Sequence, residues 1–429
     1  MNIARIYQQL TKFFAISFVS ILAPISLAAQ PSRIYTQRTD IQTIEFTRAD
    51  HPRSNPVVTL GSGEALALSF DVIDGNLSTL YFSFQHCNFD WNPSDLLPVE
   101  YFNGFNKEYG YEQSVFSINT TVDYLHYQLI IPTNNIIHSG NYIISLYDEN
   151  GTPLLTRPFW VVEPLVNITT ELKRYVQQPY STHTLDVNVA YGNMKIDVPQ
   201  RQVHLAVWKD DDIEDAIISS QPSYLRSGEL TFMNQFSFAP GNEYLWADTR
   251  SIRATRAGVA RIDFIDPFYH ITFETDRKPL GYSYHKDFNG KYHIENADLA
   301  GADPASQADY VVAHFSYDAR NNMVDSYPPE NFPVYLYGQL TNYSLDDRYR
   351  MVYDEESGLY LLDIRLKQGY YNYDYVTIRD GHIMPISSFI DTETNYNIAV
   401  YYRDFAGLSD RLIGFSTHNS LNSPNNFVR

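Results

Sequence analysis

Leu80-Tyr81-Phe82-Ser83-Phe84-Gln85-His86-Cys87-Asn88-Phe89-Asp90-Trp91-Asn92-Pro93-Ser94 sets the terms on which this chain is read. Its first half alternates, with Leu80, Phe82 and Phe84 on one face and Tyr81, Ser83 and Gln85 on the other, the period of a half-buried strand. Its second half is a polar turn that gathers His, Cys and Asp. Two readings compete for that turn: a nucleophilic centre, or a piece of scaffold.

Working outward, the same period recurs. Leu66, Leu68 and Phe70 alternate with Ala65, Ala67 and Ser69. Tyr142, Ile144 and Leu146 alternate with Ile143, Ser145 and Tyr147. Tyr360, Leu362, Ile364 and Leu366 alternate with Leu361, Asp363, Arg365 and Lys367. Turn signals punctuate these runs at Asp74-Gly75-Asn76, Asn103-Gly104, Ser139-Gly140-Asn141, Asn150-Gly151 and Asn289-Gly290. No stretch carries three capped turns of helical periodicity. The fold class is therefore all-β, as tandem antiparallel β-sandwiches. The 35 tyrosines and 25 phenylalanines suit pleated sheet faces and strand ends.

Two boundaries are legible. Phe159-Trp160-Val161-Val162 ends at Glu163-Pro164 and closes a first domain over 30–164, the size of an immunoglobulin-like sandwich. The small, polar stretch Asn296 to Asp309 reads as a linker, which divides a middle domain, 165–300, from a last domain, 301–429. The acidic run Asp210-Asp211-Asp212-Ile213-Glu214-Asp215 reads as a solvated loop, since it lacks the glycine and terminal Glu of a calcium loop.

Residues 1–29 have the form of a secretory signal: Arg5 and Lys12, then an apolar core from Phe13 to Leu22, then small residues at Ser26, Ala28 and Ala29. Its removal takes two positive and no negative charges, so the formal charge moves from −19 to −21. The single cysteine, Cys87, leaves none at the cleavage point for lipidation and none for an intramolecular disulfide. The expected compartment is the periplasm. A chain this acidic, with no cluster of Lys and Arg, repels nucleic acid and anionic lipid.

The chemistry is weak. His86 and Cys87 are neighbours on a strand and point to opposite faces, so they cannot form a dyad with each other. His126 could serve Cys87 from another strand only if the thiol were accessible. No paired-Cys or His-x-Glu-x-x-His spacing, nucleophile elbow or phosphate loop is present, and a carboxylate pair for glycoside hydrolysis cannot be located from sequence. No catalytic, cofactor-binding or metal-binding residue is assigned, no cofactor is implied, and the chain is not expected to be an enzyme. The turn has a structural account: Asp90, Asn92 and Ser94 bond nearby amides, Pro93 presets the bend, and Trp91 packs over the sandwich end.

Ser69-Phe70-Asp71, His86-Cys87-Asn88-Phe89-Asp90-Trp91-Asn92-Pro93-Ser94, Glu100-Tyr101 with Gly104-Phe105, Phe116 to Thr120, Tyr124 to Tyr127, Ile131-Pro132 and Ser139 to Tyr142 follow one another in order. Further on stand Gly241 to Tyr244, Asp287 to Gly290, Leu366 to Tyr373 and Thr392 to Tyr396. With these the chain resembles the plug proteins of the type IX secretion system of Bacteroidota. It departs from the family pattern at Trp208-Lys209, in place of a Gln-Asn pair, and at Ile386-Ser387, in place of Glu-Gly. The resemblance implies a non-enzymatic plug on the periplasmic side of the outer membrane that closes the translocon barrel when no cargo passes. The implied partner is the outer-membrane translocon barrel protein, with no direct membrane insertion and no small-molecule ligand.

The last domain also resembles the early-set sandwich of glycogen- and starch-binding modules, through Val334 to Gly338, Asn342-Tyr343 and Gly369 to Tyr373. Such modules stack sugars on exposed tryptophans, and Tyr343 stands where one is usual. A periplasmic carbohydrate-binding protein is the alternative reading.

Overall fold

Three β-sandwiches account for the described residues of the chain, seen in a computed structural model. The structure describes residues 34–428, apart from 37, 74, 76, 78, 106–107, 110–111, 177–180, 321–332, 380 and 423–426. The signal expected over 1–29, and Asp74 and Asn76 of one expected turn, lie outside the described residues.

The first sandwich faces the strands Tyr81–Cys87, Gly140–Tyr147 and Pro153–Val162 against Ile41–Arg48, Ala65–Ile73 and Tyr124–Pro132. The alternation anticipated for these strands fills its core: Leu66, Leu68, Phe70, Phe82, Phe84, Leu129, Ile144 and Phe159 are all buried together. The all-β, antiparallel-sandwich class holds, with a few parallel pairs such as Val57–Thr59 on Pro153–Val162.

The second and third sandwiches do not follow the expected cut near residue 300. One sheet of the second sandwich contains Asn167–Tyr175, Thr182–Ala190 and Glu229–Phe238. The other contains Val203–Lys209 beside Asn395–Tyr402 and Arg411–Asn419, with Trp208 paired to Asn397. The C-terminal strands therefore complete the middle sandwich, where Tyr396, Ile398, Val400 and Ile413 join Leu185, Val187, Phe232 and Phe236 in one core. The third sandwich is an insertion between Phe238 and Asn395. Its sheets are built on Gly369–Arg379 and on the pair Tyr310–Asp318 and Leu359–Lys367. Strands Val259–Ile265 and Phe268–Phe273, expected in the middle domain, belong to this insertion.

The stretch Asn296 to Asp309 is no linker. Asp303 caps the short helix Pro304–Gln307 by accepting from the Ala305 amide, and Asp309 is buried. Its carboxylate accepts from the Thr121 amide (2.8 Å) and hydroxyl (3.0 Å) of the first sandwich. The polar composition serves a buried joint, where each group has a fixed partner.

Candidate functional site

The Phe84–Ser94 segment ends a strand whose two faces are both covered. Phe82 and Phe84 enter the core of the first sandwich, while Cys87 on the opposite face packs with Trp91, Ile143 and Trp160 against Ala206, Trp208, Ala399, Tyr401 and Leu412 of the second. The segment is a joint between two sandwiches. That explains why Ile143, on the face expected to be polar, is buried.

Backbone bonds fold the turn: the Asn88 amide donates to Asn92 O (2.8 Å) and the Trp91 amide to Asn88 O (2.9 Å). Trp91 adopts φ 66°, a left-handed conformation that is costly for a bulky residue and persists only when its surroundings fix it. Asp90 accepts from the Asn92 amide (3.1 Å), the expected turn bond. Trp91 meets Trp160 edge to face at 5.5 Å, so its partner is the inter-sandwich joint and not the open end of the first sandwich. Trp160 in turn stacks on Trp208 at 5.3 Å and 14°.

His86 is buried beneath this turn. Its Nε2–H donates to Ser139 O (3.1 Å), which leaves Nδ1 to accept from the Ser94 hydroxyl (2.9 Å). Burial pushes its pKa down to about 3, so the ring stays neutral and works as a spacer with two fixed bonds. Gly140 sits against it: a Cβ there would lie 2.2 Å from Nε2. Cys87 is buried and in no disulfide, its thiol facing Gln85 O at 3.8 Å, and His126 is engaged by Asp71. His86 and His126 each spend a ring nitrogen on another partner, Ser139 O and Asp71.

Polar clamps flank the aromatic stack. Asp410 of the second sandwich accepts from the Phe89 amide (3.0 Å) while held by Arg403 at 2.8 and 2.9 Å. Tyr401 donates to Asn141 Oδ1 (2.8 Å), and Phe89 lies flat on His204 at 4.0 Å and 12°.

A second joint links the first and third sandwiches. Asp71 is buried, and accepts from Lys367 Nζ, Tyr310 OH and His126 Nδ1, each at 2.7 Å. Lys367 also sits 4.2 Å from the Tyr124 ring centre. Burial draws the Lys367 pKa down, opposed by the Asp71 charge. Leu361, Asp363 and Arg365 on the same face of the strand stay exposed, and the face is covered only at its Lys367 end.

The third joint overturns the reading of 210–215 as a solvated loop. Asp210 and Asp212 are buried. Asp210 accepts from Tyr244 OH (3.0 Å) and the Asn395 amide (3.1 Å), and Asp212 from Tyr337 OH (2.6 Å). Burial raises their carboxyls to about 7 and about 6. Asp211 pairs with Lys291 of the third sandwich, whose ammonium also donates to Arg53 O and Asn55 Oδ1 of the first, both at 2.8 Å. All three sandwiches thus meet at Lys291, around a polar cavity of about 430 Å³.

Tyr335, Tyr337 and Tyr343, which carry the likeness to sugar-binding modules, are buried and offer no stacking platform. Among the described residues no three His, Cys, Asp or Glu side chains converge to hold a metal, and no helix is long and apolar enough to cross a membrane.

The fold and site define a class: an all-β protein of three sandwiches locked by buried joints, whose most distinctive segment is architectural. Residues 41–163 match the model of the type 9 secretion system plug protein first domain. The chain belongs to the type IX secretion system plug family. A crystal structure of a hypothetical protein from Parabacteroides merdae ATCC 43184 is similar over 90% of this chain and 99% of that one, at 30% identity and a TM-score of 0.83. No protein of curated function matches the chain.

Proposed function

We propose that this protein is a periplasmic plug that occludes the outer-membrane barrel of the type IX translocon while no cargo passes, without catalysis. The observation that carries the reading is the way the three sandwiches are fused. A barrel wide enough for folded cargo encloses water, so an idle pore leaks unless a body of comparable width fills it. A compact chain of this length is about 50 Å across. To act as a stopper it must also resist deformation, and its joints are packed with stacked indoles, a buried ion pair and buried carboxylates instead of flexible linkers.

Export by the signal-like residues 1–29 would bring the chain to the inner face of the outer membrane, where the barrel opens. The partner is then the translocon barrel protein. The carbohydrate-binding alternative finds no support in Tyr335, Tyr337 and Tyr343, since all three are enclosed.

Isolation of the affinity-tagged chain from detergent-extracted outer membranes tests the assignment. Co-purification of a large β-barrel subunit of the type IX machinery is expected. Recovery of the chain alone, in cells that express the translocon, would overturn it.

A further inference from the structure

The buried turn also positions the loop that leaves it. The Asp95 amide donates to Leu408 O of the second sandwich (3.2 Å), the Asn103 amide to Asn135 O (2.8 Å), and the Ile137 amide to Tyr101 O (3.0 Å). Glu100 ties its own turn by accepting from the Leu97 amide (2.7 Å). Three loops, 95–105, 133–138 and 404–409, are so bound into one end of the molecule across the first joint.

That end is apolar where it should be wet. Phe105 is 89% exposed, Val99 70%, Leu97 64% and Phe405 58%, and Leu408 and Ile137 on the same tethered loops are exposed too. Single exposed apolar residues are ordinary, but six from three tethered loops are not. The rim is acidic. Residues 88–105, 133–138 and 404–409 contain Asp90, Asp95, Glu100 and Asp404, all exposed, and no Lys or Arg. Arg403, at the edge, is committed to Asp410.

We infer that this end is the docking tip of the plug, and that its occupant is a protein surface with an apolar cleft rimmed by Lys and Arg side chains. The charge decides between partners: four exposed carboxylates, with the edge guanidinium of Arg403 already held by Asp410, repel an anionic lipid surface and complement a basic protein rim. Aromatic anchors surrounded by charge are the usual make-up of an interface hot spot. The inference rests on the plug reading for the source of the partner, which is the translocon.

The test uses the full chain in its own cells, with a photo-reactive benzophenone residue placed at Phe105 or Phe405, and at Tyr224 or Leu280 as exposed controls. Cross-linking of the Phe105 and Phe405 probes to a translocon subunit, identified by mass spectrometry and absent from the controls, is the expected result. The variant Leu97→Ser/Phe105→Ser/Phe405→Ser should keep the wild-type melting temperature and co-purify with the translocon at least tenfold less. Asp95→Lys/Asp404→Lys should weaken capture most at low salt.

Normal co-purification with silent Phe105 and Phe405 probes would overturn the tip while leaving the plug reading intact. So would cross-links to a second copy of the chain, or wild-type capture of the serine variant. Binding of the purified chain to phosphatidylethanolamine–phosphatidylglycerol vesicles, lost in the serine variant, would assign the tip to lipid and overturn the proposal. Absence of the translocon from every preparation, wild type included, would bring down both.

Discussion

Trp160 and Trp208 lie face to face across the joint between the first and second sandwiches, 5.3 Å apart and 14° from parallel. Phe415 closes the stack from the side at 5.7 Å from Trp208. The aromatic plates make the two sandwiches behave as one body.

Trp208→Ala removes one plate and leaves a void that neither sheet can close. A loss of about 3–5 kcal/mol is expected for truncating a buried Trp. Because the loss falls on the joint, urea unfolding followed by fluorescence and by far-ultraviolet circular dichroism should separate into two transitions. A single unshifted transition would contradict the joint's role.

Lys367→Met leaves Asp71 buried with its strongest partner gone. Breaking one side of a buried ion pair costs about 3–5 kcal/mol, whereas removing both charges can be nearly neutral. The single variant should therefore be less stable than Lys367→Met/Asp71→Asn. Chemical denaturation of the two at one pH checks the order. Equal stability would mean that the pair is not coupled.

Asp210 supplies a pH signature. Its folded pKa is raised to about 7 from 3.8, chiefly by burial. A raised carboxyl binds its proton more tightly in the folded state, so the stability it contributes is full below about pH 4 and is lost as pH rises through about 7. Asp210→Asn removes that dependence. Relative to the variant, the wild type should lose stability by an amount on the order of 2 kcal/mol between pH 5 and pH 8. Parallel stability curves for the two proteins would show that Asp210 titrates normally.

Cys87 should be silent in the folded protein. Its side chain is enclosed by the first joint, so a thiol reagent such as dithiobis-nitrobenzoate should label it only in denaturant. Rapid labelling under native conditions would reopen the nucleophile reading.

The fold was legible because period 2 is a local signal: Leu66, Leu68 and Phe70 needed no distant partner to declare a face. The bond of Asp90 to the Asn92 amide is local too, and is the expected one, whereas the Asn92 side chain donates to Asp90 and Ser94 bonds His86 in place of backbone amides. What the sequence hid was every long-range pairing. Strand Asn395–Tyr402 completes a sheet with Val203–Lys209 from far along the chain, so a boundary drawn from the polar composition of 296–309 fell inside the third sandwich. Asp210 and Asp212 read as solvated because their partners, Tyr244 and Tyr337, come from other parts of the chain. Trp91 was placed at an open end for the same reason. The exposed Phe105 and Phe405 carry no periodic signal, and only the backbone bonds between their loops relate them.

A plug of this kind is a rigid body that closes a conduit. Influx of a large antibiotic, normally excluded by the outer membrane, into cells lacking this gene tests that most directly. Influx should rise in the deletion strain, fall to the wild-type level on complementation, and stay high when the complementing copy carries Trp208→Ala together with Lys367→Met. Unchanged influx in the deletion strain, with the translocon still assembled, would contradict it.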